Sequence, residues 1–480
     1  MVRGRSGEGA RRLRARAERA VSRTVVVGGG LSGLAAAHRL LEKDPAADVV
    51  VLEASDRVGG ILGTVETDGF VVETGPDSIL SEKRAAIELA TRLGIADRII
   101  ETNTAHRGAY VVFRGELVKV PEGFSLMAPT RWTTWATTPV MSWPGKLRAA
   151  LEPLVPKGEG EESMARFVRR RFGREVLDRL AQPLVGGIYG GDPDRLSLAA
   201  TMPRFVDLER RHGSVIRGMR AGQRKKTEQA ASGARYGLFV AFDGGMQVLV
   251  DALAARLGDR IRTHAPVRAL DAGWRVRTDD EVFEADRVLL ALPAWRSAAL
   301  LRPHAAPLAD ALDAIPYGSA ATVTFSWPRD AIPHPMDAFG FVVPAVERRS
   351  VLAATFSSVK WPGRAPEGQV LLRVFIGGAN APDATDLDDA SLVALARREL
   401  RSLMGVEREP GFSLVVRYAR AMPQYQLGHR ERADAIEALA TSLPGVRLAG
   451  NAYRGVGIPD SIRYAESTID AWVDERVGGA

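Results

Sequence analysis

The spacing of apolar and polar positions changes along this chain from strand-like to helix-like and back. The β-branched run Thr24 to Val27 predicts a buried strand, Leu34 to Leu41 a helix, and Val49 to Leu52 a second strand. From Pro121 to Pro156 the composition shifts toward proline and tryptophan, with Trp132, Trp135 and Trp143. Strong helical periodicity follows in "SMARFVRRRFGREVLDRLAQPLVGGIYGGD", with Ser163 as N-cap and Gly186 and Gly187 as the expected stop. After the polar stretch "RAGQRKKTEQAASGAR", the segment "HAPVRALDAGWRVRTDDEVFEADRVLLALP" predicts short alternating strands with a turn at Asp271 to Gly273. A strand-rich section spans Ala320 to Gly377, and "VRLAGNAYRGVGIPDSIRYAESTIDAWV" reads as strand, glycine loop and helix. No internal repeat is evident.

Composition narrows the class. At 480 residues the length suggests roughly three domains, and 46% hydrophobic with 26% charged residues is a globular balance. No run of 18 apolar residues occurs, so no transmembrane helix is expected, and no apolar segment follows the N-terminal charges as in a secretory signal. The absence of cysteine excludes disulfides, thiolate metal sites and a flavin tethered through sulfur. No metal site is expected. Part of the +7 net charge lies in "MVRGRSGEGARRLRARAERAVSR", read as a solvated, disordered tail. Glu8, Glu18 and the scarcity of serine speak against a transit peptide. No basic stripe interleaved with aromatics follows, so nucleic acid is not an expected partner.

The candidate chemistry starts in "VVVGGGLSGLAAAHRLLEKDPAADVVVLEASDRVGG". Gly28, Gly30 and Gly33 form G-x-G-x-x-G between the first strand and the helix, and Glu53 ends the second strand. Side chains at these glycines would block a pyrophosphate from the backbone, and a helix N-terminus favours negative charge. Glu53 would accept hydrogen bonds from ribose hydroxyls. These residues alone leave nicotinamide and flavin dinucleotides both open. The pattern closes its nucleotide fold late, near residue 290 and again at the C-terminus, unlike a simple nicotinamide dehydrogenase.

Arg57 with Gly59 and Gly60 forms R-x-G-G directly behind the acid, and the combination resembles the flavin amine oxidase superfamily. "GPDSIL", "FVRRRFGREVLDRLAQPLVGGIYGGDPDRLSLAATMPRF", "MPQYQLGH" and "LAGNAYRGVGIPDSI" narrow it: from Thr24 to Val473 the chain resembles the oxygen-dependent protoporphyrinogen oxidases. The resemblance implies a mixed α/β protein. A discontinuous Rossmann-like FAD-binding domain would span 23–102, 235–297 and 418–480, behind a basic tail at 1–22. A mixed α+β substrate domain would span 103–118 and 298–417. A helical membrane-associated domain would span 119–234, with its tryptophans and Arg131, Lys146 and Arg148 at a bilayer interface. The location implied is the cytoplasm, on the inner face of the cell membrane.

The implied reaction is a six-electron oxidation of protoporphyrinogen IX to protoporphyrin IX by non-covalent FAD, with dioxygen as oxidant and hydrogen peroxide as by-product. Coproporphyrinogen III is the alternative substrate. Amine oxidation fits less well, because the C-terminal loop differs from that of amine oxidases. A homodimer is compatible with the family. Carried over residue by residue, FAD contacts fall on Gly28, Gly29, Gly30, Leu31, Ser32 and Gly33, then Glu53, Ala54, Arg57, Gly59, Gly60 and Ile61. Gly75, Pro76, Asp77 and Ser78 would lie beside the isoalloxazine, and Val267 would meet the adenine. Tyr418, Gly450, Val456, Gly457 and Ile458 complete the set. Asp77 replaces an arginine of some members and Tyr418 a tryptophan of many bacterial ones. The tetrapyrrole would lie among Gly187, Phe339, Val342 and Phe375, with Arg107 on a propionate; read without the family, Arg107 is a surface arginine on a strand. No acid–base catalyst is expected among the side chains, since the flavin takes the hydride.

Overall fold

A short β-branched run with no charged position suits a strand buried on both sides. Thr24 to Val27 sit in such a strand, β1 (Arg23–Val27), followed by α1 (Leu31–Lys43) and β2 (Asp48–Leu52). The computed structural model describes residues 22–230, 238–378 and 381–477, so nearly all of the basic segment 1–22 lies outside the described residues. β1 is the centre of a five-stranded sheet whose order is Ile261–Arg262, β2, β1, Arg287–Leu290 and Val446–Leu448, every pair parallel. Successive residues of β1 serve opposite cores. Val26 packs with α1 and the helices Gln247–Leu257 and Ile458–Val477. Val25 and Val27 pack with the helices Ala294–Leu301, Ala306–Asp313 and His429–Thr441.

A second, seven-stranded sheet runs in the order Ser413–Pro423, Tyr317–Pro328, Gln369–Gly377, Val351–Phe356, Gly340–Val342, Tyr110–Phe113 and Glu116–Lys119. All its pairs are antiparallel except Gly340–Val342 with Tyr110–Phe113. One face is a closed core in which Val323, Phe341, Ala354 and Val374 meet Leu392, Leu395, Ala396 and Leu400 of the helix Asp389–Met404. The other face is the one that matters for function.

Helices between Trp132 and Ala230 form a third body with its own core, which includes Trp135, Phe167, Phe172, Leu180 and Phe205. The N-cap expectation is met: Ser163 Oγ accepts from the Arg166 N–H at 3.2 Å. The expected stop is not. The first helix of this run ends at Gly173, and the chain continues helically through Gly186 and Gly187 to Gly190. The reason is conformational: Gly190 has φ +60, in the left-handed region a helix cap needs, and Gly186 and Gly187 are not among the positive-φ residues.

Candidate functional site

The turn after β1 is shaped by close approach. A Cβ on Gly33 would lie 2.0 Å from the Gly28 carbonyl oxygen, so only glycine lets α1 pack this tightly on the turn. Gly30, the N-cap of α1, has no side chain to bond the first-turn N–H groups, which Leu31, Ser32 and Gly33 carry. Glu53 Oε2 accepts from the Gly29 N–H at 2.8 Å, and Oε1 accepts from the Ser55 N–H and hydroxyl at 2.9 and 2.8 Å. The carboxylate is thereby fixed beside the glycine turn, next to exposed Ala54. Gly59 donates to the Gly29 carbonyl at 2.8 Å and forms a parallel bridge with Gly30. Gly30 and Gly60 then face each other across a floor free of side chains: a Cβ on Gly60 would come 3.2 Å from the Gly30 Cα. Arg57 turns onto the carbonyls of Val58, Gly60 and Leu62 at 2.8–3.1 Å, where it braces the loop.

The remaining expected cofactor residues converge on this floor. The Ala265 N–H donates to the Glu53 carbonyl at 2.8 Å, which brings the segment carrying Val267 alongside β2. Leu292 touches Gly28 on one side, and its carbonyl faces Gly450 on the other. Ile458, just after Val456 and Gly457, belongs to the same core as Leu31. Exposed Ile61 lies next to Gly75, because a Cβ on Gly75 would fall 2.0 Å from the Ile61 carbonyl oxygen. A floor that side chains would fill, an uncapped helix N-terminus and an acid at the end of β2 together fit a dinucleotide.

Beyond Gly75 the loop is held by Tyr418, which the sequence named as a cofactor residue, and by Arg373 and Lys360, which it did not single out. Tyr418 donates to the Thr74 carbonyl. Arg373, a buried guanidinium on the strand Gln369–Gly377, donates to the Gly75 carbonyl at 2.5 Å and to the Tyr418 hydroxyl at 2.7 Å. Lys360 reaches both Asp77 oxygens at 3.1 and 3.3 Å and the Ser78 hydroxyl at 2.6 Å. Burial alone would raise the Asp77 carboxyl; the charges of Lys360 and Arg373 and the Ser78 hydroxyl bring it down to about 2 instead. It is therefore an ionised anchor at neutral pH.

The open face of the seven-stranded sheet carries the expected substrate residues. Register places Val342, Ala353, Phe375, Thr322 and Val416 in one transverse row, and directly paired residues share a face. Phe375 is the one residue between Val370 and Gly377 that is not fully buried. Across from this row, a Cβ on exposed Gly187 would stand 4.0 Å from Val342 Cγ1. Phe339 is half-buried, lies outside the sheet core and donates its N–H to the Gly108 carbonyl at 3.0 Å. Arg107 precedes Gly108 in an exposed loop, not on a strand, at the sheet edge beside Phe339. No residue of the row ionises. Apart from the Thr322 hydroxyl the row is apolar.

The flavin containing amine oxidoreductase family matches residues 31–468. Coproporphyrinogen III oxidase of Bacillus subtilis (strain 168) is 33% identical over 457 residues, spanning 93% of this chain and 96% of that one. Its namesake in Propionibacterium freudenreichii subsp. freudenreichii is 36% identical over 482 residues, spanning 94% and 90%. A crystal structure from Exiguobacterium sp. 255-15, of a protein provisionally assigned as a protoporphyrinogen oxidase, superposes with a TM-score of 0.85 at 30% identity. It covers 95% of this chain and 99% of its own. The fold is the FAD-dependent amine oxidase type, and FAD is the flavin of this family. With matches of this length on both sides, the chain belongs to the flavin-containing amine oxidoreductase family, in the group that holds the porphyrinogen oxidases.

Proposed function

We propose that the protein oxidises a porphyrinogen to the corresponding porphyrin in haem biosynthesis. The observation that carries this reading is the apolar row through Val342 and Phe375, facing Gly187 and lying next to a flavin loop. A large ring with few polar groups fits such a cleft. Bound FAD would supply hydride acceptance and electron transfer to dioxygen, with one hydrogen peroxide formed from one dioxygen for every electron pair removed. The protein's own part is placement. Phe375, Val342 and Gly187 exclude water and orient the ring, Glu53 and the glycine floor hold the dinucleotide, and the proton lost with each hydride passes to solvent. Coproporphyrinogen III carries two propionates where protoporphyrinogen IX carries two vinyl groups. Two relatives named for coproporphyrinogen III, at 33% and 36% identity, favour the tetracarboxylate. Purified, FAD-loaded protein given each porphyrinogen under air should yield porphyrin fluorescence and peroxide in step, faster with coproporphyrinogen III. Peroxide with simple amines and none with either porphyrinogen would overturn the reading.

We also propose that the protein docks peripherally on the cytoplasmic face of the cell membrane through the helix Trp143–Ala150 and the turn after it. Among the expected tryptophans, Trp135 is buried against Phe124, and Trp132 is half-buried beneath the Arg220 guanidinium. Trp143, however, heads a stripe with Leu147, Leu151 and Leu154, which are 66, 63, 53 and 75% exposed. Of the expected basic partners, Lys146 lies 4.7 Å over the Trp143 ring and donates to the Ala136 carbonyl, whereas Arg148 donates to the carbonyls of Arg170 and Arg171 and Arg131 pairs with Glu122. An exposed apolar stripe of this kind suits insertion into a headgroup layer. No helix among the described residues is long and apolar enough to cross a membrane. Vesicles of phosphatidylcholine and phosphatidylglycerol should float the parent, whereas the triple variant Trp143→Ser/Leu147→Ser/Leu154→Ser should stay in solution with FAD bound. Equal flotation of the two would show that the stripe does not dock.

A further inference from the structure

Four residues of the loop Thr74–Ser78 are tied to the substrate sheet and its adjoining helix by three side chains. Tyr418 takes the Thr74 carbonyl, Arg373 takes the Gly75 carbonyl, and Lys360 takes Asp77 and Ser78. Tyr418 and Arg373 are further bonded to each other at 2.7 Å. The Arg373 guanidinium also lies over the Phe375 ring, 5.1 Å from its centroid, and reaches Thr322 Oγ1 at 3.5 Å. One buried group thus spans from the backbone at Gly75 to the aromatic that faces the cleft. A guanidinium is a costly way to fill this place. Its neighbours along the strand are Leu371, Leu372, Val374 and Ile376, all buried, and well-packed apolar residues commonly match or exceed a buried ionic cluster in stability. What the fork adds is direction: planar donors at fixed angles hold two acceptors at a set separation.

We propose that Arg373 is a positioning residue which, with Tyr418 and Lys360, holds the loop Thr74–Ser78 at a set distance from Phe375, and with it the flavin ring from the substrate. The proposal rests on the reading that this loop borders the flavin. Lys360 and Arg373 carry two positive charges against the one carboxylate of Asp77, so the clamp also leaves net positive charge on the loop's sheet side.

The test uses FAD-loaded protein and the variants Arg373→Lys, Arg373→Met and Tyr418→Phe. Readouts are the visible circular dichroism of the bound flavin, thermal stability, and kcat and KM for coproporphyrinogen III. Tyr418→Phe keeps the half-buried ring and removes only the hydroxyl, so it carries the test where Arg373→Met does not fold. The expected result is an altered flavin dichroism and a kcat lower by about tenfold at nearly parental KM, within the roughly hundredfold that a 1 Å misplacement can cost. Arg373→Lys should recover part of the loss seen in Arg373→Met. The double variant Arg373→Lys/Tyr418→Phe should fall short of the product of the single effects, because the two residues share one contact. Parental dichroism in the variants, whether or not stability or kcat falls, would overturn the clamp. A parent that binds FAD but leaves both porphyrinogens unoxidised would instead overturn the proposed function, while the dichroism still reports on the clamp.

Discussion

Arg107 shows how exposure changes the weight of a single charge. The sequence suggests a guanidinium in a water-poor pocket on a substrate carboxylate, where a hydrogen bond to a charged group contributes about 1.5–3 kcal/mol. In the structure it sits in an exposed loop at the sheet edge. Exposed pairs are commonly worth about 1 kcal/mol or less and are screened by salt. Arg107→Ala should therefore weaken apparent substrate affinity by about fivefold or less at low salt, and less as salt is added, with FAD binding as in the parent. Arg107→Lys should recover part of the loss. Steady-state KM measured across a salt series checks this, and a salt-independent KM equal to the parent's would remove Arg107 from substrate binding. Arg373 is the opposite case, an arginine inside the apolar run "VLLRVFIGG". A charge in such a run was a readable signal, because arginine is rarely buried without a partner. Its partners, 298 residues away at Gly75 and 45 away at Tyr418, were not readable.

At the scale of elements, the packing of the helix His429–Thr441 makes a pH prediction. Its first residue, His429, is buried, stacks on Tyr425 at 3.7 Å between ring centroids and donates Nε2–H to the Tyr453 carbonyl at 3.2 Å. Tyr425 in turn accepts from the Gly455 N–H and donates to the Asn451 carbonyl, so this stack supports the C-terminal glycine loop. Burial holds the His429 imidazole down at about 4, against an ordinary 6.5. A depressed folded-state value means that the folded protein favours the neutral ring. The associated stability is fully present above pH 6.5 and is lost as pH falls from there through 4, by about 3 kcal/mol at most. Melting temperature measured from pH 7.5 to 4 should fall more steeply in the parent than in His429→Phe, which keeps the stacked ring but cannot ionise. Parallel curves would show that another group governs acid loosening. Element boundaries behaved unevenly. Ser163 caps its helix as side-chain capping predicts, and the turn expected at Asp271 to Gly273 falls at 272–274. The helix through Gly186 and Gly187 runs on, since a mid-helix glycine only weakens a helix and a left-handed residue such as Gly190 ends it.

Across the whole molecule, the parallel sheet gathers strands from both ends of the chain, from Arg23 to Leu448, and the cofactor floor is built where they meet the glycine loops. The sequence by itself determined the parts whose physics is local. The turn between β1 and α1 needs Gly33 because a side chain has no room there, the acid follows β2 directly, and period-two and helical spacing mark most strands and helices. Only the tertiary structure decided which of two identical patterns faces inward. Trp135 and Trp143 carry the same indole eight residues apart, yet one is packed on Phe124 and the other points to solvent. Leu147, Leu151 and Leu154 have the spacing of a core face and form an exposed stripe. Likewise the row from Val342 to Val416 arises from strand register, and the hold of Arg373 and Lys360 on the Thr74–Ser78 loop from packing between segments 298 and 283 residues apart in the chain. Backbone sterics and hydrogen-bond period act within a few residues and are written in the order of the chain. Burial depends on what else arrives at a surface, and that is settled only when the sheets and helices close on one another.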